Sequence, residues 1–253
     1  VTVWVEPLWI VGTLLIAVRL GALLLLSPLF SLARLPAPIG LLLVLVMAVA
    51  INDTIDAPSA VGVDGIAPLI LAAVRELLLG ALLAFGINCA FAAFSFGGRV
   101  LDLQIGFGVA SLVNPSTNEQ SPLLGTVLLA VAVLTFFLLN GHHWLARGVL
   151  HSFHALPPGA PWRSFSAAVV LQQFGLMFSF GFMLVAPVVA VLLLLDVAIA
   201  IASRSMPQMN IFMLSIPIKT IVGLAGLAMS APYMKGLFAR IFESIFTYWE
   251  TLA

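Results

Sequence analysis

Apolar residues run along this chain in blocks far longer than the alternation of a half-buried strand or the stripe of a soluble helix. Leu8 to Leu32 is one block, interrupted by Arg19, and Ile39 to Ile51 is a shorter second, set off by Pro36 and Pro38. Ile66 to Phe96 carries the adjacent pair Arg75 and Glu76 and is expected to break at Gly97-Gly98. Leu123 to Leu139 ends at Asn140-Gly141, Ala167 to Ile201 carries Asp196, and Ile211 to Ala231 carries Lys219. The tail from Leu237 to Trp249 mixes aromatics with Arg240, Glu243 and Glu250, a pattern that suggests an interfacial helix. Polar or proline-rich stretches, Asn52 to Gly65 and Pro157 to Pro161, read as loops.

Blocks of about 20 apolar residues are the length that crosses a hydrocarbon core. Backbone in lipid must satisfy its own hydrogen bonds, so such blocks are helices. A transmembrane barrel would instead show weakly alternating segments of about ten residues. The expected fold is all-α: a helical membrane-type protein of long hydrophobic helices and hairpins. Small residues at four-residue spacing, Gly80 with Ala84, Gly86 with Ala90, Gly175 with Ser179 and Gly226 with Ser230, would let such helices approach closely.

Composition agrees: 62% of the 253 residues are hydrophobic and 8% charged, against about 25% charged in soluble domains. The formal net charge is zero, which argues against nucleic acid as a partner. The single cysteine, Cys89, is expected to be a small packed hydrophobe. Glu6 rather than a basic stretch precedes the first block, so no cleaved leader is expected. Arg34 and Arg99 favour an outside amino terminus, yet simple crossings from there place Lys235 and Arg240 outside as well. One resolution is that some apolar blocks pack against other subunits instead of crossing lipid.

Enzyme signatures are missing: the sequence has no His-Glu-x-x-His, no Gly-x-Ser-x-Gly and no Walker lysine. His142, His143, His151 and His154 cluster, but without neighbouring carboxylates or cysteines to complete a metal shell, they read as interfacial or loop histidines. No cofactor is expected. Arg19, Arg75, Glu76, Asp196 and Lys219 lie in apolar blocks, where an unpaired charge is costly. Either they line a watery path or they pair between helices. Asp196 and Lys219 would be nearly equidistant from a hairpin turn near Pro207 and could face each other, with Arg204 as the alternative partner of Asp196. Arg99 and Asp102, three apart, would pair on one helix face. The segment Gly97 to Pro122 is the least ordinary. Gly106 and Gly108 flank Phe107, and an apolar patch with Val109 and Leu112 runs to Asn114-Pro115. Such a loop between membrane-like helices belongs inside protein or along a pore.

Asp102-x-Gln104-x-Gly106, Asn114-Pro115 and Asn140-Gly141-His142 together resemble the FliR component of the bacterial flagellar export gate. So do Ala186-Pro187, Asp196, Ser203-Arg204, Pro207-Gln208-x-Asn210 and Pro217-x-Lys219, in that order. The related virulence-secretion proteins of the SpaR and YscT types share the architecture. The resemblance implies one export-gate unit over 1–253, with a FliP-like part over 1–165 and a FliQ-like hairpin and tail over 166–253. It implies a non-enzymatic subunit of a type III export channel in the bacterial inner membrane, at the flagellar basal body. FliP-type and FliQ-type subunits and an FlhB-type subunit would be its partners, lipid its surroundings and unfolded export substrates its cargo. It also implies that Gly106, Phe107, Gly108, Val109, Leu112, Asn114 and Pro115 belong to a pore-plugging loop. Arg75, Glu76, Asp196, Arg204 and Lys219 are then structural buried charges. The alternatives are a virulence-secretion homologue and a secondary transporter of small solutes.

Overall fold

The structure, a computed structural model, describes residues 7–28, 36–55, 65–107, 122–161, 166–205 and 211–252. The described residues form α1 (Pro7–Leu26), α2 (Ala37–Thr54), α3 (Ile66–Ile105), α4 (Leu123–Leu138), α5 (Gly141–Ala155), α6 (Ala167–Ser205) and α7 (Ile211–Leu252). Among them, five helices are long and apolar enough to cross a membrane, and the adjoining α4 and α5 would supply a sixth if counted as one span. At 1.5 Å per residue, α3, α6 and α7 each measure roughly 60 Å along their axes. That is about twice the ~30 Å of a hydrocarbon core, so apolar length does not by itself define a span in these helices.

Several boundaries differ from the sequence expectation, each for a physical reason. Gly97-Gly98 does not break α3, which continues to Ile105. A Cβ at Gly98 would collide with the backbone of Gly125, and one at Gly97 would lie 2.8 Å from the Gly181 carbonyl oxygen. These glycines are helix interior, kept bare so that neighbouring backbones can touch. The tail is helical and continuous with the apolar block before it: α7 runs unbroken through Pro217 and Pro232. The histidine-rich stretch is helical, entered through Asn140 in the left-handed conformation at φ 58°.

The chain folds as two units. The first comprises residues 1–89, 140–173 and 244–253. In it α1 packs on α2, and Gly80 of α3 brings that helix against the α1 backbone at Arg19. Arg19 and Glu76, each about 1% exposed, form its polar centre. Arg19 Nε donates to Glu76 Oε2 at 2.5 Å and Nη2 donates to Oε1 at 3.1 Å. The remaining bonds reach the end of α5: Nη1 to the Ser152 carbonyl at 3.0 Å and Nη2 to the Leu156 carbonyl at 2.9 Å. The guanidinium lies 4.3 Å from the centre of the Phe153 ring. Glu76 Oε1 also accepts the Gly159 N–H at 2.9 Å. The Ser152 carbonyl also accepts the Leu156 N–H at 3.0 Å, so the guanidinium adds a second donor there and sets a cation at the negative end of the α5 dipole, while Glu76 fixes the turn that follows.

The second unit comprises residues 90–139 and 174–243. Its centre is a phenylalanine cluster. Phe94 meets Phe238 edge-on with ring centres 4.8 Å apart, and Phe136 meets Phe242 at 5.2 Å. Phe91 joins both Phe136 and Phe242 at 5.7 Å. Offset and edge-on contacts at these distances are the favourable ones for aromatic rings. The small-residue pairs expected from spacing contribute unevenly. Gly226 packs on Val188, whereas a Cβ at Gly175 would meet nothing within 4 Å.

The Arg19–Glu76 pair gives a testable expectation. Glu76→Ala strands a buried guanidinium and should cost about 3–5 kcal/mol. Unfolding of the detergent-solubilised protein measures this, and an unchanged midpoint would show that the pair is dispensable.

Candidate functional site: a polar knot at the foot of the glycine loop

The loop singled out in the sequence leaves α3 at Gly106 and rejoins described structure at Pro122. Gly106 has φ 97°, a conformation that glycine adopts without strain. The Gly106 and Phe107 N–H groups both donate to the Asp102 carbonyl, at 3.1 and 2.9 Å. The second is the six-to-one bond that closes a Schellman-type helix end. Phe107 itself is half-buried. Gly108, Val109, Leu112, Asn114 and Pro115 lie outside the described residues.

Asp102 does not pair with Arg99, as the spacing suggests it would; Arg99 is exposed and Asp102 is 5% exposed. The Asp102 carboxylate turns instead to the start of α4. Its oxygens accept the Leu124 N–H at 3.1 Å and the Gly125 N–H at 3.3 Å. A carboxylate at a helix N-terminus meets free N–H groups and the positive end of the helix dipole, which outweighs pairing with an arginine free to reach water. Asp102 therefore binds both ends of the loop: its carbonyl closes α3 and its side chain caps α4. The bare contact of Gly98 with Gly125 brings the two helices close enough for this reach.

Two residues from Gly106, Gln104 Nε2 donates to Asp196 Oδ2 at 3.2 Å. Lys219 Nζ donates to the other oxygen, Asp196 Oδ1. Three helices, α3, α6 and α7, meet in this knot. The Lys219 and Asp196 side chains are 20% and 38% exposed, so this chain alone covers most of the pair. The Asp196 partner is thus Lys219 and not Arg204, which is exposed in the last turn of α6. There a cation complements the helix C-terminus and needs no counterion. Nor does Glu76 belong with its neighbour Arg75. Adjacent helical positions do not face each other; Arg75 is half-buried, and Glu76 turns to Arg19. Gln104 is the member of the knot that sequence reasoning does not mark as a site residue. Its two-residue spacing from Gly106 is visible, but the carboxylate it bonds lies 92 residues away in sequence. No cluster of three potential metal ligands occurs among the described residues.

Long helices, five of them apolar enough to cross a membrane among the described residues, define an all-α membrane-type protein. The chain belongs to the bacterial export proteins, family 1, which it matches over residues 10–245. It is 33% identical over 213 residues to the flagellar biosynthetic protein FliR of Bacillus subtilis, covering 83% of this chain and 82% of that protein. It is also 33% identical over 230 residues to flagellar biosynthetic protein FliR of Escherichia coli, covering 89% and 87%. The Yop proteins translocation protein T of Yersinia pestis is 28% identical over 151 residues, or 58% of each chain. Membership in an export family replaces the reading of a small-solute transporter.

Charge exchange tests the knot. Asp196→Lys and Lys219→Asp should each reduce yield of the folded protein, and the double exchange should partly restore it. The Gln104 amide can turn its oxygen toward a lysine at position 196, so it does not oppose the exchange. Because the pair is partly exposed here, at 20% and 38%, each single change should cost nearer ~1 kcal/mol than the larger penalty of a fully buried pair. A double exchange no better than either single change would show that the two charges do not act together.

Proposed function

We propose that this chain is the FliR-type subunit of the flagellar type III export gate. It joins FliP-type and FliQ-type subunits, and an FlhB-type subunit, around the channel that passes unfolded flagellar proteins across the bacterial inner membrane at the basal body. Its role is structural and conductive, not catalytic. The observation that carries this reading is the family match, which runs through both units and includes the helices on either side of the glycine loop. The two flagellar relatives at 33% identity, each covered to more than 80%, favour that system over a virulence-secretion role.

In this reading residues 1–165 form a FliP-like part and 166–253 a FliQ-like hairpin and tail. The many exposed apolar side chains of α2, including Leu41, Leu42 and Val46, meet neighbouring subunits or lipid. Obligate interfaces are large and apolar in this way. The loop from Gly106 to about Asn118 plugs the closed channel. Its apolar residues exclude water and ions as a hydrophobic constriction does. Asp102 and the Gln104–Asp196–Lys219 knot hold its foot.

Co-isolation and leakage test the two levels separately. Tagged chain should bring down two other hydrophobic subunits; recovery as a monodisperse single chain in mild detergent would overturn the gate assignment. Replacing residues 109–118 with a short Gly-Ser linker should leave that co-isolation intact and make cells permeable to small ions or dyes. Unchanged conductance in an assembled complex would show that the loop is not the plug.

A further inference from the structure

Within the first unit, α5 and the last turns of α7 enclose a cleft of about 200 Å³. This is well beyond the 10–15 Å³, roughly, that one water needs. Its floor is fixed. The Trp249 indole lies over Gly148, where a Cβ would come within 2.6 Å of the ring. The Trp249 Nε1–H donates to the Leu83 carbonyl at 3.0 Å. Phe246 packs edge-on against Trp249 with ring centres 5.9 Å apart, and Trp144, 55% exposed, stands tilted against Phe246.

Around this aromatic floor stand charges of both signs. Arg147 and His151, one helical turn apart on α5, and Glu250 on α7 all line the cleft, and all are exposed. Arg147 and Glu250 do not close an ion pair with each other, and neither has an ion pair among the described residues. Glu250 sits in the last turn of α7, where a carboxylate opposes the helix dipole. Helix stability does not explain it there; a cation in the cleft would.

We propose that this cleft seats the headgroup of a zwitterionic phospholipid of the phosphatidylethanolamine class. Arg147 and His151 donate to the phosphate, and Glu250 accepts from the ammonium. The indole and phenyl rings carry the glycerol and first methylenes. Charge balance selects this headgroup, since an anionic lipid would leave Glu250 facing a negative charge. The placement is also right. α5 has 15 residues, about 22 Å of helix, too short for the ~30 Å of a hydrocarbon core. With His142, His143 and His154 exposed along it, it suits the headgroup level, where tryptophans also concentrate.

Native mass spectrometry of the full-length protein, purified with whatever subunits co-isolate, tests this. Dioleoyl phosphatidylethanolamine, dioleoyl phosphatidylglycerol and soluble O-phosphoethanolamine are the probes. The wild type should retain the ethanolamine lipid over the glycerol lipid and ignore the soluble headgroup. Arg147→Ala should weaken retention about tenfold, the loss of one charge-assisted hydrogen bond. Glu250→Gln should still bind lipid but lose the discrimination. Both side chains are exposed, so subunit co-isolation and helical content should be unchanged. Three results would overturn the proposal: equal retention in both variants, equal binding of the two lipids by wild type, or equal binding of soluble O-phosphoethanolamine. A photocrosslinker at Trp144 that captures a protein subunit instead of lipid would do so too.

Discussion

A guanidinium taken out of water sets the terms for the first unit. Arg19 is about 1% exposed in an otherwise apolar helix, and a lone charge so placed would cost several kcal/mol. The cost is met only if Glu76, two carbonyls at the end of α5 and the Phe153 ring all arrive together. Helices surrounded by lipid or by other apolar helices slide and rotate with little change in buried apolar area. Directional bonds remove that freedom. Each bond of Arg19 has one satisfactory geometry, and so α1, α3 and α5 have one satisfactory arrangement.

The second unit solves the same problem with close backbone contacts and helix-end bonds. Bare glycines let backbones touch, Gly98 on Gly125 and Gly97 on Gly181. The short reach that results allows one aspartate, Asp102, to serve two helix ends at once. The Gln104–Asp196–Lys219 knot then ties the end of α3 to α6 and α7. The foot of the glycine loop is thereby fixed to three neighbours, which leaves the sequence of the loop itself free for the role proposed for it.

Much of this is legible in the amino-acid sequence. The long apolar blocks point to the all-α membrane class, and the positions of Asp196 and Lys219 about a turn point to their pairing. The helix α5 is harder to see, because its apolar residues, Val149 and Phe153 among them, form only a stripe among histidines. Reading for long blocks hides a short amphipathic helix. Gly97-Gly98 misleads because glycine signals both a break and a close approach, and only a second backbone nearby tells them apart. Arg19 is visible as a costly residue, but its partners lie too far along the chain for spacing rules to find. Spacing pairs Asp102 with the nearest cation, whereas the stronger attraction is a helix terminus that sequence alone does not place.

The distance from Arg19 to its partners has a consequence during synthesis. The carboxylate that answers Arg19 lies 57 residues downstream, and the last of its carbonyl partners 137 residues downstream. A chain emerging from the ribosome at about 5–20 residues per second therefore carries this arginine without its full complement of bonds for several seconds. Through that interval the cost of an unpaired charge in hydrocarbon favours positions of α1 in which Arg19 still meets water. Final seating of the first helix is thus a late event, timed by the arrival of α5 and not by its own hydrophobicity.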